Sequence, residues 1–261
     1  MVSNISTNLA EAGGNLHYLP QCQSTNDELA QMLADMNNRI SNGFVVITDH
    51  QTQGRGQRGN RWEAEAGKNL TFSMAFFPRF LEARFSFWLS AAVSLGIVSA
   101  LKPLLPDCEV KWPNDIVCGG KKLCGILIEN SVQGMNLDRS IVGVGLNVNQ
   151  MDLPPGATSL RLERQREFDR VEILNQIRSG IQFWYNRLQL EGWQKIRQTY
   201  YKNLFLLARP HDFFLPDGSC FRAVIKSISD SGALNLVTAT GEKQFDFKEV
   251  SFGPDLSRAN S

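Results

Sequence analysis

Residues 110–148 read VKWPNDIVCGGKKLCGILIENSVQGMNLDRSIVGVGLNV, and this stretch decides the fold. Its apolar runs predict four strands, at 110–112, 116–118, 123–129 and 140–148. Gly119-Gly120 falls between the second and the third, and a two-residue hairpin needs positive φ at both of its central positions. Short strands that follow one another without intervening helices argue for an antiparallel or mixed sheet and against a doubly wound one.

Upstream, 16–19 reads as a short strand and a helix starts near Thr25, with Thr25 and Glu28 spaced as a capping box. Leu29, Met32, Leu33 and Met36 give that helix one apolar face. Residues 44–47 form a further strand, and 50–67 dissolve into a Gly, Gln, Asn and Arg loop. Leu70, Phe72, Met74 and Phe76 alternate with Thr71, Ser73 and Ala75, the pattern of a half-buried strand. Residues 85–101 are apolar on nearly all sides and predict a buried helix, closed by Pro103 and Pro106.

Downstream, Pro154-Pro155-Gly156 marks a loop, and a long helix begins near Val171 with Asp169 as cap. Ile173, Leu174, Ile177, Ile181, Trp184 and Leu188 line its core face, and a last helix runs over 192–202. From there the texture changes to short strands at 212–214, 221–228, 234–237 and 244–247, with turns at Asp217-Gly218 and Ser231-Gly232. The chain therefore divides into a polar tail (1–15), an α+β main domain (16–204) and a small β domain (205–261).

Bulk properties narrow the function. In 261 residues, 43% are hydrophobic and 20% charged, a globular balance. A net charge of +1 offers no basic excess, which argues against nucleic-acid and membrane partners. We read no apolar run of the roughly 18 residues that cross a bilayer, and no basic start with an apolar core in the first 16 residues to make a secretory signal. Cys22, Cys108, Cys118, Cys124 and Cys220 are an odd set without a CxxC pair, which reads as reduced thiols in the cytoplasm. The three histidines are scattered, so no metal site is expected.

Five segments could carry chemistry. In Gly54-Arg55-Gly56-Gln57-Arg58-Gly59-Asn60-Arg61-Trp62, three glycines free the backbone to cradle an anion and the arginines add fixed positive charge. In Lys111-Trp112-Pro113-Asn114-Asp115, proline re-aims the chain and sets an amide and a carboxylate at a strand end. Lys122 leads into an apolar strand in which Gly125 lets a ligand lie against the backbone. Gly143 and Gly145, in a strand with no helix after it, mark close approach and not a dinucleotide fingerprint. Ser24-Thr25-Asn26 adds hydroxyls and an amide at a helix start. Alone, each has a plainer reading: a solvated basic loop, a polar turn, a hairpin tip, a helix cap.

Together and in this order, GRGQRGNRW (54–62), KWPND (111–115), KLCGIL (122–127) and VGVGLN (142–147) resemble the biotin protein ligases, also called biotin–[acetyl-CoA-carboxylase] ligases or holocarboxylase synthetases. The resemblance runs from about residue 16 to the C-terminus. It implies an α+β catalytic domain with a mixed or antiparallel sheet flanked by helices, followed by a small SH3-like β-barrel. It implies ATP with Mg²⁺ and biotin as substrates, and the biotin carboxyl carrier protein or domain of a carboxylase as partner. Ser24, Thr25, Asn26 and Gln51 would hold the ureido head of biotin, with Arg55, Gly56, Gln57, Lys122 and Gly125 around the rest. Arg58, Trp62, Asn114, Lys122 and Asn147 would serve ATP and the adenylate, and Lys122, Arg55 and Asp115 the chemistry.

Many members carry arginine where Gln57 and Asn60 stand here, which points to weaker retention of the adenylate. Members that also repress transcription carry a helix-turn-helix domain ahead of the ligase core. About 15 residues precede the first expected strand here, which argues against that role. The resemblance leaves a homodimer open. Two rivals remain: a lipoate or octanoate ligase, against which the KWPND and GRGxxG segments speak, and a binding protein without turnover, against which Lys122 and Asp115 speak.

Overall fold

The computed structural model describes residues 15–35 and 40–253. The polar tail up to residue 14 and Met36 lie outside them. Seven strands form the main sheet: β1 (Leu16–Cys22), β2 (Val45–Gln51), β3 (Leu70–Phe76), β4 (Cys108–Lys111), β5 (Asp115–Cys118), β6 (Lys121–Gln133) and β7 (Asn136–Leu146). Their order is β1-β2-β3-β7-β6-β5-β4. Only β1 and β2 run parallel, joined by the crossover helix α1 (Thr25–Ala34), so the sheet is mixed, as expected. Gly119 and Gly120 close the β5–β6 hairpin at φ +56° and +79°.

One face of the sheet packs on α2 (Phe87–Leu101) and α4 (Arg170–Glu191), with α5 (Trp193–Lys202) beside them. Asp169 caps α4 by accepting from Val171 N (2.7 Å) and Glu172 N, as its position implied. The short helix α3 (Leu160–Arg164) was not foreseen; Ser159 caps it, its Oγ accepting from Leu162 N at 3.2 Å. The opposite face is covered at β2, β3 and β7 by α1, through Leu29, Val46, Ala75 and Ile141.

Two expectations change. All seven residues of β3 are buried, not half of them, because helices cover both faces of this central strand. The segment Ala83–Leu101 does reach a membrane-spanning length and composition at 19 residues, but most of it is buried against the sheet and α4, as a core helix is. Its apolarity on all sides follows from that burial.

After α5, a five-stranded antiparallel sheet follows: β8 (Pro210–Phe214), β9 (Cys220–Ile228), β10 (Leu234–Thr238), β11 (Gly241–Phe245) and β12 (Ser251–Phe252), in the order β11-β10-β9-β8-β12. The strand β12 was missed as too short to show a period. This sheet shares its core with the main one: Phe213, Ile225 and Leu234 join the same buried cluster as Trp88 and Tyr200. Trp88 Nε1 and Trp112 Nε1 donate to Asp230 O and Gly232 O, each at 2.8 Å.

Helices α2 and α4 touch backbone to backbone at Gly96 and Gly180. A Cβ at Gly96 would lie 2.5 Å from Ile181 Cα, and one at Gly180 would strike the Gly96 carbonyl. Gly96→Ala is expected to destabilise the fold by about 1–3 kcal/mol. An unfolding midpoint in urea equal to that of the unaltered chain would show that the helices have room to part.

Candidate functional site

A single pairing row crosses six strands. Thr48 on β2 faces Thr71 on β3. Thr71 faces Gly145 on β7, and Gly145 faces Gly125 on β6. Gly125 faces Asp115 on β5, and Asp115 faces Lys111 on β4. Directly paired residues point to the same side of a sheet, so this row lies on the face that α1 covers only in part. With glycine at two adjoining positions, the row is a trough in its middle. From Thr71 to Lys111 it floors a cavity of about 440 Å³. Trp62 lies in the trough: a Cβ at Gly145 would collide with its indole, and one at Gly125 would sit 3.4 Å from both Trp62 Cζ3 and Lys122 Nζ. Close approach is thus why both strands carry glycine.

At the α1 end the polar groups are paired, and those of Thr25, Asn26 and Ser73 are buried. Ser73 Oγ, fully buried, lies 2.7 Å from Thr25 Oγ1 and 2.6 Å from Asn26 Oδ1. Gln51 Oε1 accepts from Thr25 N at 2.8 Å and Thr25 Oγ1 at 3.1 Å. Asn26 Nδ2 donates to Glu129 Oε2 at 2.6 Å. The capping box expected at Thr25 and Glu28 therefore does not form. The N-cap is Ser24, without a side-chain bond, and the Thr25 hydroxyl is committed to Gln51 across the site.

The Gly54–Trp62 loop is ordered by its own backbone. Gly56 N donates to Asn60 O at 2.7 Å and Trp62 N to Gly54 O at 3.0 Å, around a single 3-10 turn at Gln57–Gly59. Arg55 reaches Asp27 at 2.5 Å and Glu129 at 3.1 Å, which ties the loop to α1 and β6.

At the other end of the trough, Lys122 Nζ pairs with Asp115 Oδ1 at 2.8 Å. Lys111 lies nearby, its Nζ 5.1 Å from the Phe252 ring centroid. Burial holds the Lys111 ammonium below its ordinary pKa, with Asp115 opposing the shift and Lys122 adding to it. Phe214, Phe247, Lys248 and Phe252 close this end from the small sheet.

A glycine-floored trough with fixed amides and hydroxyls at one end and a lysine–aspartate pair at the other is the setting in which the comparisons with known proteins fall. Residues 18–147 match the Biotin/lipoate A/B protein ligase family. The chain belongs to that family. It is 29% identical over 246 residues to the biotin–[acetyl-CoA-carboxylase] ligase of Paracoccus denitrificans, covering 90% of this chain and 99% of that one. It is 28% identical over 244 residues to the bifunctional ligase/repressor BirA of Bacillus subtilis, covering 90% and 72%. Among solved structures, it superposes on the biotin protein ligase from Aquifex aeolicus in complex with biotin and ATP with a TM-score of 0.77, at 25% identity, covering 93% and 100%.

The ligase cavity gathers most of the residues singled out from sequence. Ser24, Thr25, Asn26, Gln51, Arg55 and Gly56 line it on the α1 and loop side. Gln57, Trp62, Asn114, Asp115, Lys122 and Gly125 line the rest. Asn147 does not: its Nδ2 donates to Thr158 O at 3.0 Å, and it holds the β7 exit to the following loop. Arg58 sits on the 3-10 turn, and its side chain is not among those described. Asn114 has half its amide committed, Nδ2 donating to Ile126 O at 2.5 Å, which locks the KWPND turn onto β6. Sequence reading missed Glu129, Thr71, Ser73 and the wall from the small sheet, and it gave Lys111, though part of a motif it singled out, no role of its own. Period-two counting from Gly125 would have put Leu127 and Glu129 on the same face.

Ser73→Ala removes the one hydroxyl shared by two buried acceptors. The expected loss is about 1–3 kcal/mol of folding stability, read from urea unfolding. A loss below a few tenths would mean that the network closes without Ser73.

Proposed function

We propose that this chain is an ATP-dependent biotin protein ligase: it joins biotin and ATP into biotinyl-5′-AMP and passes the biotin to a lysine of a biotin carboxyl carrier protein or domain. The observation that carries the reading is the pairing row itself. It sets Asp115, and with it the paired Lys122 ammonium, at one end of a trough whose other end offers Thr25, Asn26 and Gln51 as fixed hydrogen-bonding groups. Biotin is such a molecule: a polar ureido head, an apolar chain that can lie along glycine backbone, and a carboxylate tail. The named activity of the Paracoccus relative and the biotin and ATP bound in the Aquifex structure support it. Residues 16–204 would be the catalytic domain and 205–261 the β domain, in a cytoplasmic protein.

The first half-reaction brings two anions together. The biotin carboxylate is ionised at neutral pH and needs no base, so positioning and charge neutralisation carry the step. Lys122 and Arg55 supply fixed positive charge, and Mg²⁺ enters with ATP as the substrate complex. Trp62 Nε1 is buried without a hydrogen-bond partner among the described residues, a donor that a bound nucleotide can satisfy. In the second half-reaction a carrier lysine must lose its proton to attack the mixed anhydride, and Asp115 is the group to take it.

Biotin-dependent exchange of pyrophosphate into ATP tests the reading, with lipoate as the control acid. Exchange with lipoate alone would favour the lipoate ligase, and exchange with neither acid a binding protein. Lys122→Ala is expected to lower exchange by about 10²–10³-fold. Asp115→Asn is expected to slow transfer from preformed biotinyl-AMP by about 10²-fold or more and exchange far less. Transfer at the normal rate would remove Asp115 from the chemistry. Gln57→Arg is expected to slow release of free biotinyl-AMP, and equal release from both proteins would show that Gln57 is no cause of leakage.

A further inference from the structure

Among the described residues, five cationic side chains line the cavity, Arg55, Arg61, Lys111, Lys122 and Lys248, together with the carboxylate of Asp115. Arg55 is engaged at the loop side by Asp27 and Glu129. The end where β4, β5, β6 and the small sheet meet holds the three lysines and one acid, a charge suited to a polyanion. Lys248 is the unusual member. It is the third residue of a turn closed by Glu249 N donating to Asp246 O at 3.1 Å, and its φ is +73°. Glycine or asparagine is the ordinary choice at such a position, because a Cβ crowds the left-handed backbone. Here the position carries a long cation instead, and its exposed side chain borders the cavity. Non-glycine residues held in this region cluster at ligand clamps. The turn is fixed from below: Phe247 packs on Trp112 with ring centroids 5.3 Å apart, so the place of Lys248 is set relative to the KWPND turn.

We propose that Lys248 clamps the β- and γ-phosphates of the bound nucleoside triphosphate and steadies the departing pyrophosphate, making the small sheet a working part of the first half-reaction alone. The proposal rests on the reading of the chain as an ATP-dependent biotin ligase. When a biotin carboxylate oxygen bonds to the α-phosphorus, the bond from that phosphorus to its bridging oxygen breaks and the electron pair leaves on pyrophosphate. A fixed ammonium beside that group neutralises charge where it develops. Biotinyl-AMP carries no β- or γ-phosphate, so the second half-reaction does not use Lys248.

Lys248→Gly removes the ammonium and gives the turn the residue its φ favours, so the fold is kept; Lys248→Arg keeps the charge. Exchange by the unaltered chain is measured first. Its absence overturns the ligase reading, and the clamp with it. With exchange present, Lys248→Gly is expected to raise KM for ATP and lower the exchange rate, about 10–100-fold together. KM for biotin and the transfer rate from preformed biotinyl-AMP stay as they were, and Lys248→Arg recovers most of the loss. Unchanged exchange in Lys248→Gly overturns the proposal, and so does an equal fall in both half-reactions.

Discussion

Gly145 and Gly125 face each other on two neighbouring, long strands, and the two side chains missing at that crossing are what the rest of the site depends on. The seven-stranded sheet is closed on one face by α2 and α4 and would close equally well on the other with ordinary apolar residues. Glycine in a strand interior weakens it, since nothing packs there and backbone freedom is lost on folding. The length of the β6–β7 ladder, paired from Cys124–Leu146 to Gln133–Asn136, offsets that cost. What results is a concavity with a backbone floor, deep enough for the indole of Trp62 to lie in it.

The two ends of that concavity differ in physical character. At the α1 end, Ser73, Thr25 and Asn26 are all buried, so each polar atom needs a partner and finds it in the protein. A network of this kind is rigid and reads shape. At the far end Lys122 keeps 42% of its side chain exposed and Asp115 keeps 24%. An ion pair in partial contact with water is weakly held and can exchange partners at little cost. One end is built to recognise, the other to change.

Much of this was legible in the sequence, for reasons that can be named. The hairpin at Gly119-Gly120 and the core face of α4 follow from local rules that nothing overrode. The motif residues could be picked out because glycine, proline and lysine are out of place in buried strands. Where reading failed, tertiary structure had reassigned a residue. Thr25 has the sequence of a helix cap, but Gln51, twenty-six positions away, takes its hydroxyl. Asn147 stands in a motif beside two cavity glycines, yet its amide bonds to Thr158 O. Ser73 looked like the solvent side of an alternating strand because nothing local reveals that a helix lies over it. The wall formed by Phe247, Lys248 and Phe252 was invisible for the same reason, since it depends on how the two sheets share one core.

The lysine–aspartate pair also bears on the order of the chemistry. Under the proposed roles, Asp115 is of no use as a base while its carboxylate is paired with the Lys122 ammonium. An arriving carboxylate and triphosphate bring more negative charge to Lys122 than Asp115 alone offers, and the ammonium moves toward them. Under those roles Asp115 would be released at the point where a mixed anhydride has formed and an incoming amine needs a proton acceptor. Lys111 stands directly opposite Asp115, and burial holds its ammonium below its ordinary pKa while the Asp115 carboxylate opposes that shift. In that reading, completion of the first step would make the base for the second available through the movement of the Lys122 side chain.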